Sequence, residues 1–414
     1  MPKRLLLIGG NFAPELTGIG KYNGEMIRWL ANNGYDCTVI TSFPHYPQWK
    51  VQSPYEKSRY WFRKEVAENN NVTVYRCPQY IPSKPSGKKR LLMDFTFAMS
   101  ASVKLLQLLF TRSVDVVVVV APPFHLGLLA TLYKKLRGAR FLYHIQDLQI
   151  EAARDLKMIS SSFLLRSLFG MEKYILRHAD VVSSISDGMM KKVAEKTGRS
   201  ISFFPNWVDV DLFHPLTGRE QIKTEYGFAV TDKVILHAGA IGEKQGLEAI
   251  LYVAAMMKEQ THVKFLICGA GPYREQLRQH ATELQLSNVH FRDPEPFDRF
   301  NRFLNMADVH LVIQKASAGD LVMPSKLTTI LAVGGLALVT ANEDTSLHTL
   351  VKDNNIGIVI AAEDRNALKE GICTAINKRQ EHIARNARQY ALNYLAIDKI
   401  MSRLDRAIFT SVST

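Results

Sequence analysis

The stretch HAGAIGEKQG, residues 237–246, decides the fold of this chain. It follows the apolar run VIL at 234–236, and a helical pattern begins at Leu247. A strand therefore leads into a glycine-rich loop, and the loop leads into a helix. Glycines let a backbone approach a ligand closely, and the start of a helix offers unpaired N–H groups to an anion. The stretch thus predicts a phosphate or diphosphate site in an α/β domain.

Strand and helix signals alternate on both sides of this loop. Apolar runs such as VDVVVVVAP (114–122) and VKFLICGAG (263–271) are typical of parallel strands covered on both faces. The alternation is lost in SFFPNWVDVDLFHPLTG, residues 202–218, which marks a domain boundary. A chain of 414 residues is also long for one core. We predict an α/β fold with two doubly wound, Rossmann-like parallel-sheet domains, residues 1–204 and 205–385, and a C-terminal helical segment, 386–414.

The composition is that of a soluble globular protein in a reducing compartment. The four cysteines have no metal-ligand spacing, and two of them lie in apolar strand-like runs, so we expect buried thiols rather than disulfides. The start of the chain, MPKRLLLIGG, has only a short apolar run, which predicts a first strand and not a signal peptide. These features predict a cytoplasmic protein.

Positive charge is concentrated in residues 56–112, which carry 11 Lys and Arg against 4 Asp and Glu in a chain of net charge +13. The long apolar run 91–110 follows Lys88-Lys89-Arg90 and is interrupted by Asp94 and Lys104. It fits a buried crossover helix with a basic entry loop, and it is also compatible with a helix whose edge and flanking basic residues contact an anionic membrane surface. No nucleic-acid-binding motif accompanies the basic residues, so we predict no nucleic-acid partner.

Several motifs distributed along the chain resemble one enzyme family. They are FAPELTGIGKYNGEMIRWLANNGYDCTVIT (12–41), HIQDL (144–148), PNWVDVDLF (205–213), GAIGEKQG (239–246), GAGPYREQL (269–277) and MPSKLTTILAVGG (323–335). With these motifs the sequence resembles, over essentially its whole length, the retaining GT-B glycosyltransferases of the large family often called GT4. HIQDL and MPSKL look like the branch of the colanic-acid-type exopolysaccharide transferases.

The resemblance implies a GT-B fold, in which two domains face a cleft and a C-terminal helix packs back toward the N-terminal domain. It implies a nucleotide-diphosphate sugar as donor, bound mainly by the C-terminal domain, and an acceptor bound mainly by the N-terminal domain. Retention of configuration, the absence of any cofactor and the absence of an obligatory metal are likewise implied by the resemblance.

Lys244 is the strongest single candidate for the donor site, because a fixed cation at a loop–helix junction stabilises the charge of a departing diphosphate. The alternative is a solvated lysine in a turn. Gly18 and Gly20 follow the first strand at a spacing unlike a dinucleotide turn, and on their own they indicate only a structural turn. The resemblance implies that their N–H groups face the diphosphate or the acceptor. It also implies donor contacts from Gly239, Gly242, Gly269, Gly271, Pro324, Ser325, Lys326 and Thr329.

His144 and Asp147 lie at the end of the predicted strand RFLYHI, on the edge of the sheet where open α/β sheets bind ligands. A histidine at such a position is equally compatible with a core residue. The resemblance suggests that this segment lines the acceptor side and contacts the transferred sugar, so both residues are candidates for catalytic roles.

Two departures from the family pattern concern the donor site. Ala240 stands where many relatives carry an arginine that shares the diphosphate, and Lys326 is the candidate for a substitute cation. Relatives also carry two glutamates eight positions apart, and the matching residues here are Leu321 and Thr329. Asp320 is the nearest carboxylate and the candidate for the sugar-side role.

We therefore predict a glycosyltransferase of polysaccharide biosynthesis that moves a sugar onto a lipid-linked saccharide. It would work as a peripheral protein at the inner face of the cytoplasmic membrane. Two alternatives remain open. The first is a sugar-nucleotide epimerase or hydrolase on the same fold. The second is a non-catalytic nucleotide-binding assembly protein, and the missing glutamates are the main observation that supports it.

Overall fold

The computed structural model describes residues 2–15, 18–67, 71–84, 86–155, 159, 161–316, 323–378 and 380–409. These residues form two compact units. The N-terminal unit comprises the described parts of Met1–Pro205 and Ile400–Thr414, and the C-terminal unit those of Asn206–Lys399. Each unit has its own sheet, as the alternation of strands and helices predicts.

The described strands of the N-terminal unit form one eight-stranded sheet. They are β1 (Arg4–Ile8), β2 (Asp36–Ser42), β3 (Arg63–Val66), β4 (Val72–Cys77), β5 (Val116–Ala121), β6 (Arg140–Ile145), β7 (Val181–Ser184) and β8 (Ser202–Phe203). Their order is β3-β4-β2-β1-β5-β6-β7-β8, and β3 alone among them runs antiparallel to its neighbour. Every residue of β5 is buried, because a central parallel strand is covered by helices on both faces.

The first strand, β1, lies between β2 and β5. Strands β2 to β4 extend the sheet on one side of β1, and β5 to β8 extend it on the other, so the strand order reverses at β1. Ligands of open α/β sheets bind at such a switch point, beyond the carboxyl ends of the strands. The turns after β1, β2, β5 and β6 all lie at this edge. The helices of this unit are α1 (Gly18–Asn32), α2 (Gly87–Leu108), α3 (Gly127–Arg137), α4 (Gln149–Asp155), α5 (Ser162–His178) and α6 (Asp187–Thr197).

The C-terminal unit contains an all-parallel six-stranded sheet. Its strands are β9 (Lys233–Ala238), β10 (Val263–Cys268), β11 (Val289–Arg292), β12 (Val309–Val312), β13 (Ala337–Thr340) and β14 (Gly357–Ile360), in the order β11-β10-β9-β12-β13-β14. Successive side chains enter two separate apolar layers: Val234 and Leu236 join one, and Ile235 joins the other. The helices are α7 (Arg219–Glu225), α8 (Glu248–Met256), α9 (Arg274–Glu283), α10 (Phe297–Met306), α11 (Lys326–Ala332), α12 (Ser346–Asp353), α13 (Arg365–Asn377) and α14 (Glu381–Tyr390).

The last helix, α15 (Ile397–Phe409), returns to the N-terminal unit, which confirms the prediction for the C-terminal helix. Asp405 receives a hydrogen bond from the Tyr35 hydroxyl and lies 3.3 Å from the Lys3 ammonium. Arg140 donates to the carbonyl of Ile408. The end of the chain, predicted as one segment, is thus divided: α14 stays in the C-terminal unit, and α15 from Ile400 onward packs in the other.

The long helix α2 is buried on one face only. Its buried residues are Asp94, Phe97, Ala101 and Leu105, and it packs against β2 and β4. The buried inner face fits the crossover helix, and the opposite face is left exposed. That face, which we call the outer face of α2, exposes Leu92, Phe95, Met99, Val103 and Leu106, each between 46% and 61% accessible.

All four cysteines are free thiols, as predicted. Cys37, Cys77 and Cys268 are buried, and burial raises the pKa of Cys37 and of Cys77 to about 12. At neutral pH these two thiols are therefore protonated, and a protonated, buried thiol is a poor nucleophile.

Candidate functional site

In the C-terminal unit, the loops after β9 and β10 run side by side in backbone contact. The N–H of Gly239 donates to the carbonyl of Cys268, and the N–H of Ile241 donates to that of Ala270, each over 3.0 Å. A Cβ on Gly269 would lie 1.8 Å from the Gly239 carbonyl oxygen, and one on Gly271 would lie 2.0 Å from the Ile241 oxygen. These two glycines are therefore needed for the close approach of the loops.

We expect Gly269→Ala to lower the stability of the C-terminal unit, because the added methyl group forces the two loops apart. Overpacking of this kind lowers the free energy of unfolding by about 1–3 kcal/mol. The φ of +152° at Gly269 adds backbone strain for any residue with a side chain. Thermal unfolding would show a lower midpoint for this variant than for the wild type. Gly170→Ala is the matched control, since a Cβ there meets nothing within 4 Å. Equal midpoints for the two variants would contradict this account of the loops.

Lys326, the first residue of α11, brings a cation beneath the loop after β9. Its Nζ lies 3.3 Å from both ring nitrogens of His237, and the position of a Cβ on Gly239 is 3.2 Å from the same Nζ. His237 is fully buried at the end of β9. Burial lowers the pKa of Lys326 to about 7, and burial together with the Lys326 charge holds the pKa of His237 well below its usual range. The structure therefore brings Lys326 and Gly239 together.

Lys244 lies in a 3₁₀ turn, Glu243–Gln245, between the glycine-rich loop and α8. The N–H of Gly242 donates to the Gln245 side chain over 3.1 Å, which fixes the start of this turn. The side chain of Lys244 lies outside the described part of the structure. Sequence reasoning missed Lys315, whose aliphatic stem lies 3.2 Å from the position of a Cβ on Gly246. Its position just after β12, at the same edge of the sheet, was the available signal.

The remaining predicted donor residues lie around the start of α11. The carbonyl of Pro324 accepts the N–H of Leu327, and Ser325 precedes the helix without a side-chain cap. The hydroxyl of Thr329 donates to the carbonyl of Lys326 at 2.9 Å, so it serves its own helix. Asp320, the candidate sugar-side carboxylate, lies outside the described residues.

In the N-terminal unit, Gly18 and Gly20 lie in the first turn of α1, where the sequence on its own indicates only a structural turn. A Cβ on Gly20 would come within 2.4 Å of a carboxylate oxygen of Glu15, so this glycine makes room for that side chain. Glu15 is itself buried and accepts the N–H groups of His45 and Tyr46 over 2.9 Å each. Sequence reasoning missed Glu15, although an acidic residue in the connection between β1 and α1 was a usable signal.

His144 and Asp147 have different surroundings. His144 is buried within β6, 3.0 Å from the Ser183 hydroxyl and edge-on to the Phe204 ring, and burial lowers its pKa to about 3. His144 is therefore a buried, uncharged side chain near the end of β6, which agrees with the core alternative that the sequence leaves open. Asp147 is partly exposed in the turn after β6, and its charge helps to raise the pKa of Tyr46.

Among the described residues, no group of three or more His, Cys, Asp or Glu side chains could hold a metal ion. Besides Glu243, the donor-side loops are lined by the cationic side chains of Lys326 and Lys315. They can neutralise an anionic ligand directly, through ammonium groups and backbone N–H groups.

Comparisons with known proteins agree with this arrangement of loops. Residues 17–207 match the glycosyl transferase 4-like domain, and residues 218–391 match the glycosyl transferases of group 1. The chain is 36% identical over 406 residues to the putative colanic acid biosynthesis glycosyl transferase WcaI of Escherichia coli K12, covering 96% of this chain and 98% of the relative.

Solved structures support the same fold. Sucrose-phosphate synthase from Thermosynechococcus elongatus aligns with a TM-score of 0.75 at 13% identity, over 98% of each chain. HepE from Anabaena, in complex with UDP and glucose, aligns with a TM-score of 0.70 at 14% identity, over 98% of this chain and 99% of HepE. The chain therefore belongs to the group 1 glycosyltransferases, and it is an enzyme of the GT-B fold.

Proposed function

We propose that this enzyme transfers a sugar from a nucleotide-diphosphate sugar to a lipid-linked saccharide in exopolysaccharide synthesis, with retention of configuration. The observation that carries the proposal is the pair of glycine loops after β9 and β10 with Lys326 beneath them. Such a site suits a diphosphate, and it needs no metal or other cofactor to neutralise it. The similarity to WcaI supports the polysaccharide context, and the UDP and glucose in HepE support the class of donor.

The chemistry follows from the charge that develops on the leaving diphosphate. As the bond to the anomeric carbon breaks, Lys326 and the loop N–H groups stabilise the phosphate oxygens. The acceptor hydroxyl attacks from the face that the diphosphate leaves, and a phosphate oxygen takes its proton. No strong protein base is required, which fits the burial of His144 in the core.

A donor screen tests this function. UDP-, GDP-, ADP- and dTDP-sugars are compared for nucleotide release with and without a polyprenyl-diphosphate-linked saccharide. We expect one donor class to be used, with release that depends on the acceptor and a product of retained configuration. Equal release without acceptor would favour a hydrolase or epimerase, and an inverted product would contradict the proposed mechanism.

We further propose that the enzyme is a peripheral protein at the cytoplasmic face of the membrane, held there by α2. The outer face of α2 is a stripe of large apolar side chains at helical spacing, and Lys88 and Lys89 are exposed in its first turn. A contiguous apolar patch beside basic residues is complementary to an anionic bilayer. By length and composition α2 could also cross a membrane, but its inner face packs on β2 and β4. An interfacial position therefore fits better than a span.

We expect the wild-type protein to float with vesicles of phosphatidylglycerol at low salt and to be released as salt rises, because screening weakens attraction worth about 1 kcal/mol per basic residue. The variant Lys88→Glu/Lys89→Glu/Phe95→Gln/Met99→Gln should stay in solution. Leu132→Gln/Leu136→Gln on α3 is the matched control, because it removes exposed apolar side chains elsewhere on the same unit. Equal flotation of both variants, or no flotation of the wild type, would refute the membrane surface.

A further inference from the structure

The loop that follows β2 holds an aromatic side chain in a strained position. Trp49 has a φ of +55°, a conformation that a bulky side chain rarely adopts. Strain of this kind persists only where the surroundings enforce it, and it concentrates at ligand sites. The surroundings do enforce it here. Glu15 accepts the N–H groups of His45 and Tyr46, and Gln52 donates to the carbonyl of Tyr46 over 2.9 Å.

Trp49 packs beside the aromatic ring of Tyr46 and the guanidinium group of Arg90. Its ring centroid is 6.3 Å from that of Tyr46, edge to face, and the Arg90 guanidinium carbon lies 4.7 Å from the Trp49 ring. Both aromatic rings are partly exposed, and Arg90 is exposed. The loop therefore presents two aromatic side chains and one cation together at the surface of the N-terminal unit.

This cluster lies at the ligand-binding edge of the sheet. The Tyr46 ring is 3.5 Å from the position of a Cβ on Gly18, at the start of α1. Burial raises the pKa of the Tyr46 hydroxyl, the charge of Arg90 lowers it, and the charges of Glu15 and Asp147 raise it further. The cluster thus adjoins Gly18 after β1 and Asp147 after β6. The family resemblance implies a contact to the diphosphate or the acceptor for Gly18, and a place on the acceptor side for Asp147.

We propose that Tyr46, Trp49 and Arg90 form a subsite for the acceptor, in which the rings pack on a pyranose and Arg90 pairs with the phosphate that joins the saccharide to its lipid. Aromatic side chains with a few placed polar groups are typical of such sites, and the guanidinium fork matches a phosphate. This proposal rests on the proposed function, because it assumes a lipid-linked saccharide as acceptor.

The position of Arg90 gives the subsite its link to the membrane. Arg90 lies in the first turn of α2, and the next turns carry the outer face with Leu92 and Phe95. A lipid diphosphate would have its chain against that face and its phosphates at the level of Arg90. The helix α2 would then bind the bilayer through its outer face and position the acceptor's phosphate through Arg90.

The test compares KM values for two acceptors, a short-chain prenyl-diphosphate saccharide and the same saccharide as an octyl glycoside. Trp49→Asn keeps a residue that tolerates positive φ, so the loop is expected to fold. We expect it to raise the KM of both acceptors about tenfold or more and to leave the KM of the donor within about twofold, as loss of aromatic packing alone predicts. Trp49→Phe should restore most of the acceptor affinity, and Trp61→Ala, which removes a highly exposed tryptophan, should leave both KM values unchanged.

Arg90→Gln should raise the KM of the diphosphate-linked acceptor alone. Equal effects on both acceptors would overturn the phosphate role of Arg90, and unchanged acceptor KM in Trp49→Asn would overturn the subsite. A wild-type enzyme that releases nucleotide but transfers to neither acceptor would instead refute the proposed function, so the two failures are distinguishable.

Discussion

Lys326→Met is expected to lower kcat/KM for the donor by about a hundredfold or more while the fold survives. The ammonium of Lys326 lies against Gly239 and His237 at the carboxyl end of β9, where the proposed diphosphate binds. Removal of one preorganised group that stabilises developing charge typically lowers kcat by about this factor. Methionine retains the length of the aliphatic stem, so the packing around the buried His237 is largely preserved.

Steady-state kinetics and thermal unfolding of the purified variant check this result. Lys258→Met, at an exposed position on the same unit, is the matched control and should leave kinetics unchanged. A Lys326→Met enzyme with near-normal kcat/KM and an unchanged unfolding midpoint would remove Lys326 from the donor site.

The pH dependence of nucleotide binding follows from the same residue. The pKa of Lys326 in the ligand-free protein is lowered to about 7, and the negative charge of a diphosphate favours the protonated form and raises that pKa on binding. Below pH 7 the site is already charged. Above pH 7 binding must take up a proton, so the affinity falls as pH rises, by at most about tenfold per unit.

Titration of UDP or GDP between pH 6 and 9 measures this pH dependence. Lys326→Arg, which stays protonated, should bind with little pH dependence, and a wild-type affinity that is flat over this range would contradict the assignment.

Much of the architecture could be predicted because local signals agreed with the global fold. The buried run VVVVVA became β5, and VIL before the glycine loop became part of β9. The start of α1 at Gly18 could not be predicted from local signals. Glycines usually lower helix propensity, but Gly18 and Gly20 lie in the first turn, where Gly20 makes room for Glu15. That requirement comes from a tertiary contact and leaves no trace in periodicity.

The site was predictable where it depends on backbone geometry and less so where it depends on burial. Gly269 and Gly271 are held in backbone contact with the preceding loop, which is the close approach that glycines in such loops indicate. His144 could not be placed from sequence, because a histidine at the end of a strand can point into the core or out of it. Trp49 was missed because its positive φ results from the hydrogen bonds that hold the loop to Glu15.

Lys244→Ala is expected to lower turnover by about a hundredfold, comparable to the loss of one charge-stabilising group. The backbone of Lys244 is fixed directly after the glycine loop, because the N–H of Gly242 donates to Gln245 and that of Gly246 donates to the carbonyl of Glu243. A cation here and the cation of Lys326 would act on one diphosphate. Near-normal turnover of Lys244→Ala with an unchanged circular dichroism spectrum would therefore remove it from the site.

The double variant Lys244→Ala/Lys326→Met shows whether the two lysines act together. Groups that stabilise the same charge are not additive, so the double variant should lose less than the product of the two single losses. Lys258→Ala combined with Lys326→Met is the control, and it should match the loss from Lys326→Met alone. Losses for Lys244 and Lys326 that multiply in full would mean that they act on separate groups.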